Sequence, residues 1–272
     1  MRPPLSKDTR LCISLAARPS NIGTRFHNYL YDQLGLDFIY KAFTTTDIDA
    51  AIGGVRALGI RGCSVSMPFK EAVIPLVDNV ESSARAIHSV NTIVNDDGRL
   101  TASNTDYLAV QRLIDDYQLD LSDTVLIRGS GGMASAVGAA FRDSGFHSGV
   151  VVARNPDAGR ALAGRLDYDY ASEVGTRTAP IIVNVTPIGM AGGPEESEAA
   201  FDDATIAKAR TVFDVVALPS ETPLIKAARS AGVAVITGAE VIALQAAEQF
   251  ERYTGVRPTA EQVAQASAIS RA

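Results

Sequence analysis

Cysteine and histidine are scarce in this sequence. Two cysteines, Cys12 and Cys63, and three histidines, His27, His88 and His147, stand among 272 residues. No CxxC, HExxH or similar ligand spacing can be built from them, so no resident metal site is expected. Both cysteines lie in apolar, strand-like runs. They read as small buried residues of a reduced, cytosolic chain rather than as a disulfide. No apolar run is long enough to span a membrane. The first residues, Met-Arg-Pro-Pro-Leu-Ser-Lys-Asp, contain no apolar signal-peptide core. Positive charge is not in excess either. The net charge is −6 and the isoelectric point about 5.1, which argues against nonspecific nucleic-acid or anionic-membrane binding but leaves room for a local basic pocket. There is no GxSxG elbow, so a hydrolase of that type has no support. Internal repeats and low-complexity segments are also missing.

What remains is an ordinary soluble composition, 46% hydrophobic and 21% charged, in a chain long enough for about two domains. The stretch Thr124-Val-Leu-Ile-Arg-Gly-Ser-Gly-Gly-Met-Ala-Ser-Ala-Val137 organises it. An apolar strand runs into a glycine turn and then an alanine-rich helix. Gly129-x-Gly131-x-x-Ala134 is the alanine form of the dinucleotide fingerprint. Gly129 permits the tight turn, Gly131 lets backbone N–H groups approach a pyrophosphate, and Ala134 lets the helix pack on the strand. The pyrophosphate would sit at the helix N-terminus, where unpaired N–H groups and the dipole favour negative charge. Ser130, Gly132 and Met133 belong to the same turn.

Strands and helices alternate on both sides of this stretch, which implies an α/β fold. Strands are expected at 11–16, 38–43 and 63–66, with a loop from Ala17 to Arg25 and helices at 26–34 and from Thr46, as cap, to Leu58. Pro68 should open a further helix, and a short one should cover 81–87. Asn95-Asp-Asp-Gly98 is a hairpin turn signal that would add antiparallel pairing to the first sheet. Asn104-Thr-Asp106 opens a helix to about Tyr117. Beyond the fingerprint, strands are expected at 149–153, 180–185, 212–216 and 233–236, and helices at 156–165, 223–231 and 240–253.

Ligands of open α/β sheets bind beyond the carboxyl ends of the strands. The polar residues placed there are Ser64, Ser66, Lys70, Asn91, Asn104 and Asp106 in the first half, and Arg154, Asn184, Thr186 and Gly189 in the second. Gly238, after the last strand, joins the cofactor set. An NAD-preferring fold carries an acidic residue where this chain has Arg154, and a guanidinium suits a 2′-phosphate, so NADP is the expected cofactor. Lys70 and Asp106 are the candidates for proton transfer, since a lysine placed against a helix dipole needs a partner. The plain alternatives stay open from pattern alone: Lys70 as a surface residue beside Glu71, and Asp106 as a helix cap. His27 is expected to pack or hydrogen-bond within the first helix. His88 and His147 have no evident partner.

Three segments, Ser64-Val-Ser-Met-Pro-Phe-Lys-Glu71, Ser89-Val-Asn-Thr92 and Asn104-Thr-Asp106, resemble the shikimate dehydrogenase family. The glycine turn, Asn184-Val-Thr-Pro-Ile-Gly-Met190, Thr222-Pro-Leu224 and Gln245-Ala-Ala247 carry the resemblance over almost the whole chain. It implies NADP-dependent interconversion of a hydroxy cyclohexene carboxylate and its 3-dehydro form. It places Lys70 and Asp106 on the catalytic pair, Asn91, Asn104 and Gln245 on substrate hydroxyls, and Arg154 on the 2′-phosphate. The chain departs from the family where the substrate carboxylate is held: Asn21-Ile-Gly-Thr-Arg-Phe-His-Asn28 keeps neither serine of the usual pair. Ser20, Asn21 and Thr24 remain as donors there, with Arg18 or Arg25 for charge. Ser64 and Ser66 also replace longer side chains, and Ala217 stands where a tyrosine is common. These features are similar to the shikimate dehydrogenase-like branch.

The expected architecture is therefore an N-terminal α/β substrate domain with a mixed, mostly parallel sheet (1–104 and 240–272) plus a Rossmann NADP-binding domain (105–239). Gln245 must return to the first domain if the resemblance holds. The expected partner is a small hydroxy cyclic carboxylate, with shikimate first and quinate or another polyol or hydroxy acid as alternatives. A cofactor-binding regulator without turnover is the alternative from another class. No nucleic acid, membrane or metal is expected, and a homodimer is an open possibility.

Overall fold

A short apolar run at the start of the chain forms β1 (Arg10–Leu15), and β-branched and aromatic residues form β2 (Phe38–Phe43). Between them runs α1 (Ile22–Leu34), ended by Gly35 in the left-handed region at φ 65°. The helix begins four residues earlier than the sequence suggests, so Thr24 and Arg25 are helical and the expected loop is shorter. Helix α2 (Ile48–Ala57) is capped by Asp47, whose carboxylate accepts from Ala50 N–H at 2.9 Å, not by Thr46. A carboxylate at that position also complements the helix dipole. Strands β3 (Gly62–Val65), β4 (Asn79–Val80), β5 (Thr92–Asp96) and β6 (Arg99–Ser103) complete the first sheet, with the short helix α3 (Ser82–Arg85) after β4. The sheet order is β2-β1-β3-β5-β6-β4. β1 is parallel to β2 and β3, whereas β5 is antiparallel to both β3 and β6. The β5–β6 turn has Asp97 at φ 51° and Gly98 at φ 90°, the doubly left-handed turn that suits a right-twisted hairpin.

The expected helix at Pro68 does not form. Residues 68–73 make successive turns into a 3-10 turn at Ile74–Leu76. The Lys70 carbonyl accepts from Val90 N–H at 2.9 Å instead of from a residue one helical turn ahead. Lys70 therefore lies in a turn and opposes no helix dipole.

The remaining elements are α4 (Thr105–Asp116), β7 (Val125–Arg128), α5 (Gly132–Asp143), β8 (Gly149–Val152), α6 (Pro156–Leu166), β9 (Asp169–Ala171), β10 (Ile181–Asn184), α7 (Asp203–Ile206), β11 (Thr211–Asp214), α8 (Pro223–Ser230), β12 (Ala234–Thr237), α9 (Gly238–Thr254) and α10 (Ala260–Arg271). The second sheet runs β12-β11-β10-β7-β8-β9, and its pairings are parallel. Counted from β7, this is the doubly wound order whose reversal point lies at the fingerprint strand. Thr237 and Glu240 form a capping box for α9: Glu240 Oε2 accepts from Thr237 N–H at 2.8 Å and from its hydroxyl at 2.7 Å.

This computed structural model describes residues 2–271. Contacts divide the chain into Met1–Thr105 with Ala243–Ala272, and Asp106–Ile242. The first unit has an apolar core on each face of its sheet. One holds Cys63 with Ile13, Val65 and Ile93; the other holds Cys12 with Phe26, Tyr31 and Phe250. Both cysteines are free and buried. They face opposite ways because Ile13, not Cys12, is opposite Cys63 in the β1–β3 register. Among the described residues no helix is long and apolar enough to cross a membrane, and no group of three or more His, Cys, Asp or Glu could hold a metal.

Gly62 allows β3 to lie against the Tyr253 ring. A Cβ at that position would come within 2.3 Å of Tyr253 Cδ1, and Tyr253 is fully buried. Gly62→Ala is expected to destabilise the protein by about 1–3 kcal/mol through overpacking. Urea unfolding would read this as a lower midpoint; an unchanged midpoint would mean that α9 can slide away without cost.

Candidate functional site

In the first unit the substrate-side residues converge on one polar cluster. Val65 N–H donates to the Asn91 carbonyl at 2.8 Å, and the neighbouring Val90 N–H donates to the Lys70 carbonyl. The backbone at Lys70 is thus tied to the residue before Asn91. Asn91 Oδ1 accepts from Thr105 N–H at 2.8 Å, from the Thr105 hydroxyl at 3.1 Å and from the Thr92 hydroxyl at 2.8 Å. It satisfies an N–H left open at the start of α4, as a cap supplied from another element. Asp106 follows Thr105 in the first turn of α4, where the dipole favours a carboxylate. From α9, Gln245 Nε2 donates to the Thr105 hydroxyl at 3.2 Å. Gln249, one turn on, shares its amide N–H groups among Ser64 Oγ, the Asn91 carbonyl and Thr92 Oγ1 at 3.0–3.3 Å. Residues of β3, β5, α4 and α9 therefore meet in one network.

Asn104 is buried beside this cluster. Its Nδ2 donates to the Ser89 carbonyl at 2.9 Å and its N–H donates to Ser83 Oγ at 3.1 Å, which fixes the junction of β6 and α4. Lys70 and Asp106 are half-buried and Ser66 is exposed past β3. Ser20 and Asn21 are exposed, and Asn21 stands at the start of α1 without capping it. The Thr24 hydroxyl is buried and has no hydrogen-bond partner. Among the described residues no hydrogen bond joins these three to the Asn91 cluster. Sequence reasoning missed Thr92, Thr105 and Gln249. A signal existed for the last: Gln245 and Gln249 lie i, i+4 on one face of an otherwise apolar stripe.

The second unit carries the glycine turn. Gly129 has φ 130°, and a Cβ there would meet Val185 Cγ2 at 2.8 Å, so this turn admits glycine alone. Gly131 precedes α5 and Gly132 opens it. A Cβ on either would meet nothing within 4 Å, so the ground above the helix start is open for a phosphate. A cavity of about 580 Å³ lies there, and Gly129, Ser130, Gly131, Arg154 and Thr186 line it. Gly132, Met133, Ala134, Asn184 and Gly238 do not.

The last three have other tasks in the fold. Ala134 is fully buried. Asn184 is also buried. Its Oδ1 accepts from Thr186 N–H at 3.0 Å and the Thr186 hydroxyl at 2.6 Å, and its Nδ2 donates to Asp214 Oδ1 at 2.9 Å. It shapes the loop that presents Thr186. Gly238 is required because a Cβ would fall 2.4 Å from the Val215 carbonyl oxygen. Asp214 is fully buried, and burial pushes its carboxyl above the usual carboxylate range. Hydrogen bonds from the Thr222 hydroxyl, Val216 N–H and Asn184 oppose that shift.

Arg154 lies just past β8 with its side chain largely exposed, and its guanidinium meets Glu195 Oε1 at 3.3 Å. Arg128, the last residue of β7, lines the same cavity, is half-buried and donates to the Ala200 carbonyl. Burial first, then the neighbouring Arg154, hold its guanidinium below the usual arginine range, while Glu195 and Glu198 act the other way. Neither Arg128 nor Glu195 was singled out from sequence, although a cation closing the apolar run Val125-Leu-Ile127 was visible. His27 is stacked on Tyr40 with ring centroids 4.4 Å apart. His147 Nδ1 meets Arg142, a partner that sequence had not indicated.

Comparison with known proteins adds independent findings. The profile of the shikimate dehydrogenase substrate binding domain matches residues 21–93. A shikimate dehydrogenase-like protein of Haemophilus influenzae is 57% identical over 267 residues, covering 98% of each chain. The shikimate dehydrogenase (NADP(+)) of Pyrococcus abyssi is 34% identical over 241 residues, covering 86% of this chain and 88% of that one. The solved shikimate 5-dehydrogenase of Thermus thermophilus, in complex with NADP(H) and shikimate, has a TM-score of 0.85 at 26% identity over 96% of this chain and 99% of that chain.

Proposed function

The chain belongs to the shikimate dehydrogenase family, and on that premise we propose that it is an NADP-dependent oxidoreductase that interconverts shikimate, or a closely related hydroxy cyclic carboxylate, with its 3-dehydro form. In this reading residues 1–104 and 240–272 serve the substrate and 105–239 serve the cofactor. The observation that carries it is the Asn91 cluster. Three residues expected to hold substrate, Ser64, Asn91 and Gln245, belong to a network that also sets the start of the helix bearing Asp106.

The cluster leaves these side chains with definite tasks. Asn91 Oδ1 is occupied by Thr105 and Thr92, so what Asn91 offers a substrate hydroxyl is its amide N–H groups. Gln245 has turned its amide nitrogen to Thr105, which leaves Oε1 as an acceptor. One donor and one acceptor suit a secondary hydroxyl. Lys70 would give a proton to the carbonyl oxygen on reduction and take it from the hydroxyl on oxidation. Asp106 would accept a hydrogen bond from the same hydroxyl and orient it. Ser20, Asn21 and Thr24 are proposed for the carboxylate end, where the Thr24 hydroxyl still lacks a partner.

The cofactor assignment follows from the cavity. Gly129, Ser130 and Gly131 would pass the pyrophosphate to the start of α5, Thr186 would line the approach, and Arg154 would pair with a 2′-phosphate. Bound there, NADP would supply or take up the hydride.

The test is reduction of NADP with shikimate, quinate and a panel of small hydroxy acids. Turnover on shikimate or a close cyclic relative is expected. Cofactor binding with no turnover on any of them would instead leave a regulator. For the cofactor, Arg154→Ala is expected to weaken NADP by about tenfold or more and NAD by much less, since a charged, bidentate contact is removed. Equal losses for the two cofactors would count against the 2′-phosphate role.

A further inference from the structure

The cavity beside the glycine turn contains a second arginine that the resemblance does not account for. We propose that Arg128 determines cofactor specificity: with Arg154 it forms a two-arginine clamp on the 2′-phosphate, and Glu195 is the anion that the phosphate displaces. The inference rests on reading this cavity as an NADP site.

The register brings the two arginines together. β7 and β8 are adjacent and parallel, with Arg128 opposite Val152, two residues before Arg154. At the usual strand spacing and rise their backbones start about 8 Å apart. Both residues line the cavity.

The charges are unevenly compensated. Arg154 has Glu195 at 3.3 Å. Arg128 donates to the Ala200 carbonyl, and among the described residues no carboxylate stands within ion-pair distance of it. A half-buried cation beside a like charge is costly, and both effects hold Arg128 below its ordinary range. A dianionic phosphate between the two guanidiniums would relieve the repulsion and use the planar, bidentate donors that arginine offers.

The obvious competing anion site is already filled. Asn155 caps α6, its Oδ1 accepting from Asp157 N–H at 3.1 Å and Ala158 N–H at 3.2 Å. That helix start is satisfied by its own side chain, so recognition of an anion past β8 falls to the arginines. Glu195 pairs with Arg154 at 3.3 Å and would repel a phosphate. The clamp therefore binds by exchanging one anion for another.

The experiment measures dissociation constants of NADP+, NAD+, 2′,5′-ADP and ADP by calorimetry. The proteins are wild type, Arg128→Leu, Arg128→Lys and Glu195→Gln, each first shown to melt cooperatively. Arg128→Leu should weaken NADP+ and 2′,5′-ADP by about tenfold or more and leave NAD+ and ADP nearly unchanged. Arg128→Lys should keep part of the affinity. Glu195→Gln should tighten NADP+ severalfold, and this isosteric substitution at a half-buried residue decides the matter if the Arg128 variants do not fold. NADP+ and NAD+ weakened alike by Arg128→Leu would overturn the clamp, as would NADP+ weakened by Glu195→Gln. A wild-type preference for NADP+ that survives in Arg128→Leu overturns the clamp alone. A wild type that binds NAD+ as tightly as NADP+ removes the cofactor reading on which it rests.

Discussion

Lys70→Ala is expected to lower kcat by about 10²–10⁴-fold, the usual contribution of a positioned proton donor, while the affinity for NADP stays nearly unchanged. The separation is expected because Lys70 is not among the residues that line the cofactor cavity. Asp106→Asn is expected to fall into the same range of kcat. The two variants discriminate between chemistry and the plain alternatives. A lysine that is only a solvated cation can be truncated without effect. An aspartate that only caps a helix can be replaced by asparagine, which caps equally well. Moreover, the N–H of Thr105 is already served by Asn91 at 2.8 Å, so α4 keeps its start when the Asp106 charge is removed. Lys70→Arg should not restore turnover, since a guanidinium does not release its proton in the working range. Native turnover in Lys70→Ala and Asp106→Asn would end the assignment.

The segments around these residues show why parts of the molecule were legible and others not. The fingerprint was readable because φ 130° and a close approach to Val185 leave Gly129 no substitute, so backbone geometry is written directly into residue type. The hairpin was readable for the same reason: Asp97 and Gly98 both take positive φ. β2 was readable from its run of aromatic and β-branched residues, Phe38-Ile-Tyr40. The turns at Pro68 were misread because proline opens helices and turns alike. What decided between them was a hydrogen bond from Val90, twenty residues on. β9 and β4 are three and two residues long, too short for any period to show. The Asn91 cluster was half-legible. Its motif residues could be named, but Thr92 and Gln249 acquire their part only when β5 and α9 are brought side by side. Arg154 and Glu195 are another long-range pair, and a loop glutamate carries no local pattern that marks it. Local steric demands were thus visible in the sequence, and partnerships created by folding were not.

Acid should unfold this protein earlier than its carboxylates require, and His27 is the expected cause. The imidazole is fully buried in an aromatic nest. Tyr40 stacks on it, Phe250 lies parallel at 6.1 Å, and Phe26, Tyr31 and Tyr253 complete the enclosure. Neither ring nitrogen has a hydrogen-bond partner. Desolvation pushes the imidazole from 6.5 down to about 3, and Gln249 opposes this only in part. Above pH 6.5 the ring is neutral in both folded and unfolded chains and adds no pH dependence. Between 6.5 and about 3 only the unfolded chain takes up the proton, so unfolding becomes easier as pH falls, by up to about 1.4 kcal/mol per unit. At pH 5 the loss reaches about 2 kcal/mol, a large share of the stability of an ordinary domain. The depressed carboxyls of Asp78 and Asp202 destabilise only at lower pH, as they are protonated near and below 3.8. Asp214 works in the other direction: its raised carboxyl favours the folded state once it is protonated. His27→Phe isolates the imidazole, because phenylalanine keeps the stack on Tyr40 and cannot titrate. Urea midpoints from pH 7.5 to 4.5 should fall steeply in the native protein and much less in His27→Phe, with similar stability at the upper end. Parallel pH curves for the two proteins would show that the ring escapes protonation in the unfolded chain as well, or finds a partner on charging, and that the acid limb belongs to other groups.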